Sequence, residues 1–112
     1  MEELNNVIAK LIEFRDDRDW KQFHDSKNLA SAISIEAAEL NELFLWKDSE
    51  ESEAIDKEKL KDELADVLAF SLLLAEKHNF NITEIILNKI KKNGEKYPIS
   101  KSKGSAKKYD QL

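Results

Sequence analysis

The sequence contains no cysteine, one proline and two glycines. Without cysteine the chain can form neither a disulfide framework nor a thiolate metal site. Few residues favour tight turns, and Leu, Ala, Glu and Lys are abundant, so long helices are expected. No apolar run approaches the roughly 18 residues of a membrane helix, and the acidic start MEELNNVIAK is unlike a secretory signal. We therefore expect an all-α cytoplasmic protein that has no membrane partner.

The charge balance is acidic. The net charge of −5 argues against general nucleic-acid binding and suits a protein that collects cations. The length of 112 residues is enough for one domain with a modest core. We assign residues 1–98 to this domain and residues 99–112, which are rich in Lys and Ser, to a flexible basic tail.

Apolar periodicity and capping residues predict four helices. Asp25 or Ser26 can cap the second helix, and Asn81 with Glu84 three residues later forms a capping-box pattern before the fourth. The segments RDWKQFHDSKN and KDSEESEAIDKE are interpreted as a loop and a charged linker. The predicted helices cover about residues 2–18, 27–46, 59–77 and a segment from Asn81 to a stop near Gly94 and Pro98.

The third predicted helix is apolar almost all round from Leu64 to Leu74. A helix of this kind must be covered on most sides. Either the other three helices cover it, or copies of the chain associate helix face against helix face. We expect self-association.

Acidic residues interrupt two apolar segments. Glu36 and Glu39 lie within SAISIEAAELNELFLW, and Glu63 and Asp66 lie within DELADVLAF. Residues three apart project from one helical face, about 60° from each other. If the two helices pack as neighbours, four carboxylates converge. Such a set requires a compensating charge, and all-oxygen ligands suit Mg²⁺, with Mn²⁺ as a substitute.

Acidic pairs on helices have two other interpretations. Most carboxylates three apart on a helix lie on solvated faces, but the apolar flanks of these two pairs argue against that here. A di-iron carboxylate bundle needs Glu-x-x-His pairs. His24 has Lys21 three residues before it and His78 has Ala75, so that pattern is absent.

Glu36-x-x-Glu39 followed by Glu63-x-x-Asp66 resembles the signature of the MazG-like all-α NTP pyrophosphohydrolases, and the dCTP pyrophosphatase branch in particular. Four further segments carry the resemblance, which spans roughly residues 15–111: RDWKQFHDSKNLA, EAAELNELFLW, KIKKNGEKYP and KKYDQL. The resemblance implies a four-helix bundle protomer in a dimer or dimer-of-dimers. It also implies Mg²⁺-dependent cleavage of a dNTP to dNMP and pyrophosphate, with dCTP or a modified dCTP as the expected substrate. The implied biological role is removal of unwanted nucleotides from the nucleotide pool.

The resemblance also implies roles for individual residues. The four carboxylates would hold Mg²⁺, and one of them, or a water on the metal that they orient, would supply the nucleophile. Aromatic residues would form the wall of the base pocket: Trp20, His24, Trp46 and Phe70. Residues from two regions would contact base, sugar or phosphates: Lys27, Asn28, Lys89, Asn93, Lys96 and Tyr97.

Two departures and two alternatives accompany this interpretation. Ile35 stands where the longer signature often has another Glu, which leaves four acidic ligands. Phe70 stands where the dCTP branch often has Tyr, and loss of that hydroxyl is expected to relax base or sugar selectivity. The same chemistry on dUTP, dATP or an oxidised nucleotide is one alternative. A non-catalytic helical oligomerisation module is the other.

Overall fold

Six α-helices and no strand form over residues 2–112, which this computed structural model describes. This confirms the all-α prediction and corrects the helix count from four to six. None of the six is both long and apolar enough to cross a membrane. The helices are α1 (Glu2–Asp17), α2 (Ser26–Glu42), α3 (Ser49–Glu53), α4 (Lys57–Lys77), α5 (Ile82–Lys96) and α6 (Ile99–Ser102).

Side-chain caps begin α2 and α5, as the sequence indicates. The Asp25 carboxylate accepts the backbone N–H of Asn28 at 2.7 Å at the start of α2. The Asn81 side chain accepts the N–H of Glu84 at 3.0 Å at the start of α5. Each cap satisfies a backbone donor that has no partner within the first helical turn.

The two short helices lie in segments interpreted as linker and tail. In α3, the Asp48 side chain accepts the N–H of Glu51 while the Glu51 side chain accepts the N–H of Asp48. This capping box satisfies two backbone donors at the start of a helix of five residues. In α6, Ser102 donates a hydrogen bond from its hydroxyl to the carbonyl of Pro98.

Two predicted helix ends differ from the structure. The second helix ends at Glu42 rather than Trp46, because Phe44 and Leu45 donate to carbonyls three residues back in turns. Trp46 then adopts a left-handed conformation with φ 62°. In α5, Gly94 lies inside the helix, which continues to Lys96, just before Tyr97 and Pro98. A proline restricts the residue before it to extended conformations, so Pro98 ends this helix.

The chain divides into two compact units, one up to Asn79 and one from Phe80 onward. In the first unit, α4 packs mainly on α2 and less extensively on α1. The buried apolar residues of this unit are Leu29, Leu73 and Ala75. The second unit contains α5 and α6, and the ring of Tyr109 folds back to lie 6.1 Å from that of Tyr97.

Candidate active site

Two acidic pairs meet where α2 packs on α4. Glu36 and Glu39 lie on α2, and Glu63 and Asp66 lie on α4. Glu36, Glu39 and Glu63 each contribute a carboxylate oxygen, and the three oxygens lie within 4.8 Å of one another. Asp66 is not one of these three, but it lines a cavity together with Glu36. The packing of α2 on α4 thus gathers both pairs in one region.

The electrostatics of this region are dominated by negative charge. Burial raises the pKa of Glu36, and a hydrogen-bonding contact with Glu39 and the charges of Glu39, Asp66 and Glu63 raise it further. Burial also raises the pKa of Glu63, with further contributions from the charges of Glu39, Asp66 and Asp62. Within residues 2–112, no lysine or arginine is ion-paired with Glu36, Glu39 or Glu63. The cluster therefore lacks a compensating cation from the described part of its own chain.

The donor set fits a divalent metal ion. The Oε2 atoms of Glu36 and Glu63 are buried and accept no hydrogen bond from the described part of the chain. Buried carboxylate oxygens require a positive partner, and hard divalent cations prefer such oxygen ligands. Two orphaned oxygens in a cluster of three carboxylates are therefore compatible with divalent metal binding.

A cavity of about 390 Å³ combines acidic and aromatic side chains. This volume falls in the range of small-molecule sites. The cavity brings together three predicted base-wall residues and two predicted metal ligands, namely Trp20, His24, Phe70, Glu36 and Asp66. Aromatic faces can stack on a planar base, so the cavity can hold a base close to the acidic cluster.

His24 forms part of this wall as a half-buried ring. Its ring lies edge to face with Phe70, with centroids 6.3 Å apart and an interplanar angle of 73°. Its Nδ1 atom is buried and has no hydrogen-bond partner in residues 2–112. Burial, and then the positive charge of Arg15, lower the pKa of His24. Both effects favour the neutral imidazole, which suits a place in an aromatic cavity wall.

Trp46 does not line this cavity. Its side chain is 92% exposed in the turn after α2. Lys27 and Asn28 lie exposed on the first turn of α2. The Asn28 amide group donates to the carbonyl of Phe23 at 3.0 Å, so part of its hydrogen-bonding capacity serves the loop before α2.

The other predicted substrate contacts belong to the second unit. Lys89, Asn93 and Lys96 are exposed, and Tyr97 is half-buried. The Lys96 Nζ atom lies 4.9 Å from the ring centroid of Tyr109. Their roles as substrate contacts stay predictions.

The sequence analysis missed several residues of the cavity wall. Phe14 is 50% exposed and lines the cavity. Arg15 is 6% exposed and pairs with Asp16 at 2.9 Å and with Glu76 at 3.4 Å. From sequence, an arginine near a helix end is expected to be solvated, so no signal in the sequence predicted that Arg15 would be buried in the cavity wall. The remaining wall residues are Leu11, Ala69 and Leu73.

A second cavity, of about 470 Å³, lies near the turn after α2 and the helix α3. It is larger than the cavity beside the acidic pairs, but it contains none of the predicted site residues. Its wall is formed by Leu43, Lys47, Glu51, Ala54, Ile55, Asp56 and Lys59. We therefore place the candidate active site at the cavity beside the acidic pairs.

Comparison with known proteins gives one consistent result. The sequence model of the MazG-like family matches residues 31–112. The dCTP pyrophosphatase 1 of Bos taurus is 38% identical over 114 residues, which cover 97% of this chain and 68% of that protein. The rat and human proteins of the same name are 37% and 35% identical, each with 97% of this chain and 67% of the relative covered.

A solved structure is also similar. It is the crystal structure of a pyrophosphatase from Archaeoglobus fulgidus, with a TM-score of 0.82 and 40% sequence identity. The match covers 86% of this chain and 93% of the archaeal one.

Proposed function

Since the chain belongs to the MazG-like family, we infer that it is a hydrolase that cleaves deoxynucleoside triphosphates to monophosphate and pyrophosphate. The observation that carries this inference is the acidic cluster beside an aromatic cavity of base size. We propose dCTP or a modified dCTP as the preferred substrate, because relatives at 35% to 38% identity are dCTP pyrophosphatases. Removal of such nucleotides from the precursor pool is the proposed role.

In the proposed reaction, water attacks phosphorus and the P–O bond that joins the α- and β-phosphates breaks. The oxygen of the water remains on the phosphorus that it attacks, and the leaving phosphate carries the bridging oxygen. The triphosphate group of the substrate is itself strongly negative, so the acidic cluster repels it. The protein therefore has to reduce this repulsion before it can orient the phosphates.

We propose that Glu36, Glu39, Glu63 and Asp66 hold Mg²⁺, with Mn²⁺ as a substitute. For Glu36, Glu39 and Glu63 the support is that their carboxylate oxygens lie within 4.8 Å of one another and that Glu36 and Glu63 each have a buried oxygen without a hydrogen bond from the described residues. For Asp66 it is a place beside Glu36 in the cavity wall. A divalent ion held there would neutralise charge on the phosphate oxygens and polarise them. By holding this ion, the carboxylates would fix where the triphosphate can lie relative to the cavity.

We propose that the aromatic wall of Trp20, His24 and Phe70 binds the base by stacking. The cavity then sets the distance between the base and the acidic cluster, so that the phosphates reach the carboxylates in one register. The proposed additional contacts to base, sugar or phosphates are Lys27, Asn28, Trp46, Lys89, Asn93, Lys96 and Tyr97.

We further propose that the chain works as a homodimer or a dimer-of-dimers in the cytoplasm. Apolar side chains on α2 and α4 support association, because Ile35, Leu64 and Leu68 are 59%, 44% and 53% exposed. Covering such residues is favourable at about 25 cal/mol per Å². Light scattering coupled to gel filtration tests this, and a monomer at micromolar concentration would contradict it. The division into a domain of residues 1–98 and a flexible basic tail stays a prediction.

The decisive experiment is Mg²⁺-dependent turnover of the four dNTPs and four NTPs, with the products separated. We expect dCMP and pyrophosphate, formed fastest from dCTP. The variants Asp66→Asn and Glu39→Gln remove a proposed ligand charge with little change in shape. We expect each to lower kcat by at least about 100-fold, the upper end of the cost of losing a residue that only supports a metal ligand.

Three outcomes separate the alternatives. Faster turnover of another dNTP would retain the chemistry and change the substrate. Diphosphate and inorganic phosphate as products would contradict cleavage between the α- and β-phosphates. Full activity in Glu39→Gln, alongside the control Glu13→Gln on an exposed site of α1, would contradict the metal site.

A further inference from the structure

Three side chains at and just after the end of α1 contact one another beside the candidate base pocket. The guanidinium carbon of Arg18 lies 3.6 Å from the ring centroid of Phe14. The Phe14 ring meets Trp20 edge to face, with centroids 5.8 Å apart and an interplanar angle of 72°. Arg18 also lies 5.9 Å from the Trp20 ring. The guanidinium therefore contacts both rings, and the two rings contact each other.

The backbone after α1 places Trp20 but does not by itself orient its ring. Asp19 turns the chain with φ 53°, and the N–H of Trp20 donates to the carbonyl of Arg15 at 3.1 Å. Gln22 donates from its side chain to the carbonyl and the carboxylate of Asp19, both at 3.0 Å. These bonds fix the main chain on both sides of Trp20. The ring itself is 44% exposed, so its orientation depends on Phe14 and Arg18.

We propose that Phe14 is a further wall residue for the nucleobase and that Arg18 is a positioning residue that holds Phe14 and Trp20 in place. This inference rests on the proposed function, because it requires that the cavity receives a base. Phe14 and Trp20 both line the cavity, whereas Arg18 does not. Arg18 acts through the rings: its guanidinium carbon lies over the Phe14 ring, and the guanidinium donates to the Phe14 carbonyl at 3.0 Å.

The ring contacts give this arrangement a specific consequence. With Arg18 over the Phe14 ring and Trp20 in an edge-to-face contact with it, rotation of Phe14 costs two contacts at once. A wall held in this way binds a planar base without first losing side-chain freedom. Loss of Arg18 should therefore weaken binding of ligands that carry a base and leave binding of the phosphates alone unchanged.

A purely local role for Arg18 makes a different prediction. Phe14 and Arg18 are four residues apart, a spacing at which side chains pair on a helix surface and stabilise its end. In that case its loss would lower thermal stability without any distinction between ligands with and without a base. Attraction of the triphosphate by the arginine charge would instead weaken both kinds of ligand.

The test compares wild type with Arg18→Met, Arg18→Lys and Phe14→Leu in the same Mg²⁺-dependent assay. For Arg18→Met we expect the KM of dCTP to rise about two- to fivefold with kcat unchanged, the size of an exposed cation–π contact. We expect the competitive inhibition constant of inorganic triphosphate, which has no base, to stay the same. Arg18→Lys retains a cation near the Phe14 ring, so its KM for dCTP should lie between those of wild type and Arg18→Met. Phe14→Leu should raise the KM at least as much as Arg18→Met.

Lys10→Met serves as the matched control, because Lys10 is an exposed cation on α1 that does not line the base cavity. An unchanged KM in Arg18→Met and Phe14→Leu would overturn the inference while wild-type turnover upholds the proposed function. An equal rise in the KM and in the inhibition constant of inorganic triphosphate would also overturn it. Wild type without turnover on any nucleotide would overturn the proposed function itself, and the inference with it.

Discussion

Neutralising Glu36 should stabilise the protein in the absence of metal. Glu36 lies in a cluster in which burial and three acidic neighbours raise its pKa. Its Oε2 atom is buried without a hydrogen bond from the described residues. The variant Glu36→Gln retains the shape of the side chain and removes one charge from this group. It should therefore remove repulsion without creating a cavity.

The magnitude follows from the separation of the charges. Carboxylate oxygens of Glu36 and Glu39 lie within 4.8 Å, where two unit charges repel by about 1 kcal/mol in water and by about 3.5 kcal/mol at an effective dielectric constant of 20. Glu39 is exposed, so solvent screens the pair and the lower figure applies. We expect Glu36→Gln to raise the free energy of unfolding by about 1 kcal/mol at pH 7, or Tm by about 4 °C.

The sign with pH can be worked out from the raised pKa. A carboxyl whose pKa is higher in the folded than in the unfolded state is most favourable to folding when protonated. The unfavourable contribution of Glu36 is thus absent below its ordinary pKa of 4.5 and develops as the pH rises through its folded-state value. The gain in stability from Glu36→Gln should therefore shrink as the pH falls toward 4.5.

The assay is thermal unfolding followed by circular dichroism, in a chelator and then in millimolar Mg²⁺. Metal that binds only the folded state stabilises it by mass action, so wild type should gain more from Mg²⁺ than Glu36→Gln does. The exposed Glu13→Gln on α1 controls for loss of one charge from an acidic protein. A Glu36→Gln variant with unchanged or lower Tm in chelator, and with the Mg²⁺ response of wild type, would refute the reasoning.

Two further predictions concern His24 and the start of α2. The His24 ring should titrate below 6.5 by NMR because burial and Arg15 lower its pKa. Arg15→Met should raise that pKa. A titration at 6.5 or above in wild type would contradict the placement of His24 as a buried wall residue near Arg15. Asp25→Ala should lower the free energy of unfolding by about 1 kcal/mol, measured by urea unfolding, because it removes the side-chain acceptor for the Asn28 N–H. Asp25→Asn retains an acceptor and serves as the control. Equal losses of stability in both variants would argue against capping by Asp25.

Much of the helical architecture could be predicted from local sequence. Asp25 and Asn81 cap their helices because a side-chain oxygen satisfies backbone donors two or three residues ahead, and this chemistry needs no tertiary context. The sequence did not predict the helix α3, nor the early end of α2 at Glu42. The helix α3 lies in a charged segment, where the apolar period that guides prediction is absent. The end of α2 depends on a local competition between helix and turns in which Phe44 and Leu45 donate to carbonyls three residues back.

The acidic pairs show what local patterning can indicate and where it stops. Their spacing predicts that Glu36 and Glu39 share one helical face, and that Glu63 and Asp66 share another. Whether the two faces meet depends on how α2 packs on α4, which is decided by apolar contacts distant in sequence. In the structure, carboxylate oxygens of Glu36, Glu39 and Glu63 lie within 4.8 Å of one another, whereas Asp66 lies beside Glu36 in the wall of the cavity.

By itself, the sequence determined the helical class, the caps and the presence of carboxylates in apolar surroundings, because each depends on residues within a few positions of one another. Tertiary structure alone decided that Phe14 and Arg15 line the cavity and that Trp46 stays exposed in the chain. A helix period shows which residues share a face. Only the packing of that face against its neighbours decides which of them reach a common cavity.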